Sequence, residues 1–158
     1  MAKRKAKPKP PADDIDDKVL GLLRFTCHVN PRLDEFEGSV AIGNQSVQLI
    51  LYTDEALDLT ATIKRTHELL RRHNAIMKRA AKYAADHILP HYNEVWQTEG
   101  SPKLTRKSLT DHIKVVEMTV HPDGRATYWY DAGDLFDGHG LRIFLSAETN
   151  FVDHDTPG

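Results

Sequence analysis

SVQLILY (residues 46–52), TDEA (53–56) and LDLTATIKRTHELLRRHNAIMKRAAKYAADHI (57–88) form one continuous stretch in which the spacing of apolar residues changes. In the first part Val47, Leu49 and Leu51 recur every second position, which puts them on one face of a β-strand. In the last part Ile63, Leu69, Leu70, Ile76, Met77, Ala80, Tyr83, Ala84 and Ile88 form a stripe, and positions 69, 73, 76, 80, 83 and 87 mark a helical seam. A sheet therefore gives way here to one long helix. Asp54 or Thr60 is placed to cap its start, and Pro90 to end or kink it. Arg65, Arg71, Arg72, Lys78, Arg79 and Lys82 fall on the outer side of the helix, the pattern of a solvated face.

Upstream, VLGLLRFTCH (19–28) and FEGSVAI (36–42) have strand character. Asn30-Pro31 marks a turn between them, and Gly43-Asn44-Gln45 a short loop before the next strand. Connections this short join antiparallel strands. Downstream, HYNEVW (91–96) is a short aromatic turn in which Trp96 is placed to close the helix onto the sheet. Gly100-Ser101-Pro102 breaks the chain, and Thr105 can cap a short helix over 105–112. IKVVEMTV (113–120) and RATYWY (125–130) are strands joined by Pro122-Asp123-Gly124, a hairpin signal. LRIFL (141–145) is a last strand. The expected architecture is α+β: two antiparallel β-meanders of about six strands in all, one long helix and one short helix, in the order βββ-α-α-βββ.

The expected organisation is a basic, Pro-rich disordered leader (1–16), one α+β domain (17–150) and a flexible tail (151–158). The chain of 158 residues carries a net charge of −2. Lys3, Arg4, Lys5, Lys7 and Lys9 concentrate five positive charges in the leader, so the remainder is acidic. Such a body offers no groove for phosphates, and nucleic acid could be touched only through those five leader residues. The leader lacks the apolar segment of a secretory signal, and no run of about 18 apolar residues exists to span a membrane. The single cysteine, Cys27, cannot form an internal disulfide, and it reads as a buried side chain. These features point to a cytoplasmic location.

Chemistry-bearing residues concentrate in DAGDLFDGHG (131–140), between two strands. Asp131, Asp134, Asp137 and His139 are oxygen and nitrogen donors that could hold a cation. Gly133, Gly138 and Gly140 allow tight backbone turns. The spacing is not that of a calcium-binding EF-hand loop, whose twelfth position requires a glutamate where this chain has Arg142. Among the nine histidines, His87 and His91 have helical metal-pair spacing, but Pro90 lies between them. Cys27 and His28 point to opposite faces of a strand and cannot act as a nucleophile–base pair. No nucleophile elbow, phosphate loop or dinucleotide fingerprint is present.

YNEVW (92–96), KLTRKSLTDHIKVVEMTVHPDG (103–124) and YDAGDLFDGHGLRIFL (130–145) together resemble the bacterial domain-of-unknown-function family 2262, over roughly residues 19–145. Asp134-Leu135-Phe136 and Gly138-His139 carry the most specific part of that resemblance. It implies a small bacterial α+β domain of the kind used as an interaction or immunity-like module, and it brings no active site with it. The leading expectation is a non-enzymatic domain that binds another protein through Asp131, Asp134, Phe136, Asp137, Gly138 and His139, with no cofactor. The rival class is a hydrolase whose metal would be held by Asp131, Asp134, Asp137 and His139. In a third, architectural reading of the loop, Phe136 is buried and His139 bonds to backbone.

Overall fold

Glycine and asparagine at positions 43 and 44 let the chain reverse, with Gly43 at φ 62°. On either side of that turn run β3 (Leu33–Ile42) and β4 (Gln45–Tyr52), paired antiparallel from Glu35↔Tyr52 to Ile42↔Gln45. The computed structural model describes residues 12–30 and 32–157. Before β3 come β1 (Ile15–Asp17) and β2 (Gly21–Asn30). After the helical region come β5 (Lys114–Val120), β6 (Ala126–Asp131), β7 (Leu141–Leu145) and β8 (Phe151–Asp155). All eight form one sheet whose spatial order is the order of the chain.

This eight-stranded mixed sheet corrects the expectation of two antiparallel meanders of about six strands in all. Seven pairings link the eight strands. Six are antiparallel, and the central one, β4 with β5, is parallel. The helical crossover between Tyr52 and Lys114 returns the chain to the end of the sheet where β4 began, so the two halves fuse through Leu49↔Met118 and Leu51↔Val120. Two edge strands escape recognition in the sequence. β1 lies inside an aspartate run, and β8 (FVDHD) has a single apolar pair, too little to show alternation. Phe151–Asp155 is thus a strand paired with β7, where a tail was expected. Ile15 and Asp16 of the expected leader are likewise paired, with Leu23 and Leu22. The five basic leader residues lie outside the described residues.

The helical region is segmented. α1 (Thr60–Arg71) and α2 (His73–Tyr83) meet at Arg72, where φ −99° and ψ 7° depart from helical values. Asp58 prepares the start of α1, accepting from the Thr60 amide (2.8 Å) and hydroxyl (2.6 Å). Beyond α2 the chain widens into a π-helical turn (Ala84–Ile88), passes through α3 (Leu89–His91) with Pro90 inside it, and widens again at Tyr92–Trp96. Proline cannot donate the bond a regular helix needs at its position. The π turn just before it lets the helical path continue past Pro90 rather than end there. α4 (Arg106–His112) begins with a capping box in which Thr105 and Ser108 bond reciprocally.

Leu69, Ile76, Ala80, Ala84, Ile88 and Leu109 of the helical region are buried with Val47, Leu49, Leu51, Met118, Tyr128, Leu141 and Ile143 of the sheet. These strand residues share one parity, so the core lies on one face of the sheet. Arg65, expected in solvent, crosses this boundary. Its side chain is only 11% exposed. Its guanidinium donates to Gly124 O (3.0 Å), Thr149 Oγ1 (3.0 Å) and Ser146 O (3.4 Å), pinning α1 to the β5–β6 and β7–β8 turns. Arg71, Arg72, Lys78, Arg79 and Lys82 are exposed, as an outer face requires.

Candidate functional site

The DAGDLFDGHG loop turns by short local bonds. Asp131 accepts from the Gly133 amide (2.8 Å), Leu135 N donates to Ala132 O (3.2 Å), and His139 N donates to Phe136 O (2.9 Å). Asp137, at φ 52°, and Gly138, at φ 82°, take left-handed backbone at the tip. Asp131, Asp134, Asp137 and Gly138 are exposed, and His139 is half-buried. Among the described residues no group of three or more His, Cys, Asp or Glu side chains is placed to hold a metal ion. The donors named for a cation therefore do not converge.

Phe136 leaves the list of surface contacts, because it is 1% exposed. Its ring packs edge-on against Tyr92 (5.5 Å between centroids) and Trp96 (5.7 Å). His139 lies against Trp96 at 5.9 Å. Its Nδ1 is buried without a hydrogen-bond partner among the described residues, while its backbone amide donates to Phe136 O. Asn93, between the two aromatic residues, accepts from the Leu104 amide (2.8 Å) and donates to the Leu104 carbonyl (3.0 Å). The YNEVW and DLFDGH pieces thus form one aromatic cluster, consistent with the architectural reading for Phe136.

The remaining histidine and cysteine candidates are also dispersed. The His87 ring lies tilted against Tyr83 at 4.6 Å, and the Tyr83 hydroxyl also bonds His154 Nδ1 at 3.0 Å. Cys27 is exposed rather than buried, because a register shift between Phe25 and Cys27 carries it to the outer face of β2. Nearby burial and the carboxylates of Glu35, Glu37 and Asp34 push its thiol up, away from the reactive thiolate.

A second surface emerges from the register and was not recognised in the sequence. Opposite the core, the strand residues of the other parity line up in rows. One row is Cys27, Glu35 and Tyr52. The next is Arg24, Glu37, Ile50, Thr119, Thr127, Phe144 and Asp153. A third is Gln48, Glu117, Trp129, Arg142 and Asp155. All of these side chains are half-buried or exposed. In one half of the face Glu35, Glu37 and Glu117 approach each other. Burial, reinforced by Glu37 and Glu35, pushes the Glu117 carboxyl up despite its bond from Thr119 (3.2 Å). Burial, with the Glu35 hydrogen bond and charge, pushes the Tyr52 phenol up to about 12, and the ring stacks on His121 at 5.0 Å. In the other half the Arg142 guanidinium lies over Trp129 (5.2 Å) and Phe144 (5.6 Å), oriented by Asp155 at 2.7 Å. Gly140 closes this half. A Cβ there would sit 2.5 Å from Trp129 Nε1, so only glycine lets the loop pass over the indole. The loop of residues 131–140 is therefore continuous with the outer face.

A family match runs over residues 17–155, to the group described as an uncharacterized protein conserved in bacteria, domain-of-unknown-function family 2262 (DUF2262). The chain belongs to this family. The match takes in all of β8 and begins at Asp17, the last residue of β1, so the DUF2262 domain runs further at both ends than the resemblance over residues 19–145 indicated. No curated protein and no solved structure matches the chain. No helix among the described residues of the DUF2262 domain is long and apolar enough to cross a membrane.

Proposed function

We propose that this DUF2262 domain is a non-enzymatic protein-binding module, and that its partner docks on the outer face of the sheet with cationic side chains over Glu35, Glu37 and Glu117 and apolar ones over Trp129 and Phe144. The observation that carries this reading is the pairing, on one face of the sheet, of the carboxylates Glu35, Glu37 and Glu117 with half-buried aromatic rings. Burial raises the Glu117 carboxyl and the nearby charges of Glu37 and Glu35 add to it, so a cation docked beside Glu117 is favoured. Aromatic side chains with a neighbouring arginine are the residue types enriched where proteins bind one another. Asp134 and Asp137, exposed on the loop that adjoins the Trp129 half, add acidic groups at its rim. An immunity-like or regulatory role would be exerted by such capture, without bond-making chemistry.

Affinity capture from bacterial lysate with three forms of the protein tests this. Wild type should retain a partner in a salt-sensitive way. A face variant, Glu37→Lys with Glu117→Lys, should lose it while still unfolding in a single cooperative thermal transition. A rim variant, Asp134→Ala with Asp137→Ala, should weaken it. Retention of the same partner by the folded face variant would refute the proposal. So would a metal- or nucleotide-dependent turnover that the face variant leaves untouched.

A further inference from the structure

Between α2, α4 and the core side of β5 and β6 lies a cavity of about 210 Å³, away from the outer face. Met77, Ala80, Ala81, Ile113 and Val115 give it an apolar wall, and His73 and Tyr130 are among its polar lining groups, which also include Lys114. Neither His73 nor Tyr130 is well served by the protein. Tyr130 is 3% exposed, and among the described residues its hydroxyl donates to the Met77 sulfur at 3.5 Å, a weak acceptor. His73 Nδ1 is buried without a hydrogen-bond partner among the described residues. Burial holds the His73 imidazole below its usual value, in the neutral form that can both donate and accept. Buried polar groups left without partners are uncommon, and each calls for a physical explanation.

Volume and lining narrow the occupant. An apolar cavity of roughly 150 Å³ accepts benzene, so this one has room for a single ring and one substituent. A hydroxyl can donate and accept, and so suits either tautomer of His73 as well as the Tyr130 phenol. We propose that this cavity is a binding site for a small phenol-class molecule, with its ring against Met77, Ala80, Ile113 and Val115 and its hydroxyl toward His73 and Tyr130.

Titration of the full chain with p-cresol, followed by NMR of side-chain methyls and imidazoles, provides the test. Saturable shifts are expected at Met77, Ala80 and His73, with outer-face residues unmoved. Toluene, which lacks the hydroxyl, should bind about tenfold more weakly, the value of one hydrogen bond. Tyr130→Phe should narrow that gap, and Ala81→Leu should abolish binding by filling the space. Absence of saturable shifts at these residues in the wild type, the result expected if the cavity holds only water, would overturn the proposal. So would equal binding of toluene and p-cresol, or full binding by folded Ala81→Leu.

Discussion

Phe136→Ala removes a ring packed on both Tyr92 and Trp96, and a loss of about 3–5 kcal/mol is expected in chemical denaturation. By contrast Asp134→Ala, at an exposed position, should leave stability within about 0.5 kcal/mol of wild type. The sequence marks both residues as members of one unusual loop but does not separate them. What buries Phe136 is a pair of rings about forty residues upstream, and no local pattern announces that meeting. Glu117 is a second case. Its alternation in β5 predicts an outward side chain, whereas its electrostatics come from Glu35 and Glu37, two strands away. Its folded carboxyl titrates above its ordinary value of 4.5, so the folded state holds this proton more tightly than the unfolded chain does. The associated stability is full below the ordinary value and is lost as pH rises through the raised one. Glu117→Gln should therefore flatten the stability profile above about pH 4.5 and raise the thermal midpoint at pH 7 by about 1–3 °C.

At the scale of elements, the helical seam, the Gly43 turn, the Pro122-Asp123-Gly124 hairpin and the Thr105 cap are legible because each rests on a local rule. The break at Arg72 and the π turns around Pro90 are not, since the apolar stripe runs through them unbroken. Arg65 is misplaced in the sequence for a related reason. The acceptors that draw it inward lie 59 to 84 residues away, in turns whose position depends on the whole sheet. Arg65→Met keeps the apolar stem and removes three bonds from partly buried acceptors. A loss of about 2–3 kcal/mol is expected, with faster amide exchange at residues 121–125 and 146–150, whose turns the guanidinium ties to α1. Gly140→Ala should act on a different element. It forces the Trp129 indole aside and alters tryptophan fluorescence, with less effect on stability than Phe136→Ala.

At the scale of the molecule, one parallel pairing makes two halves into a single sheet with helices on one face only. Short alternating strands reveal which residues share a face, but not that β5 settles beside β4. The three rows across the outer face exist only once that pairing is made, and so the docking surface could not be read from the sequence while its individual strands could. Hydroxyl-radical footprinting of the DUF2262 domain, alone and with its captured partner, measures this face directly. Tyr52, Trp129 and Phe144 should become protected together, while exposed helical residues such as Lys78 and Lys82 stay reactive. Protection confined to the helical side, with those three rings as reactive in the complex as in the free protein, would contradict the account.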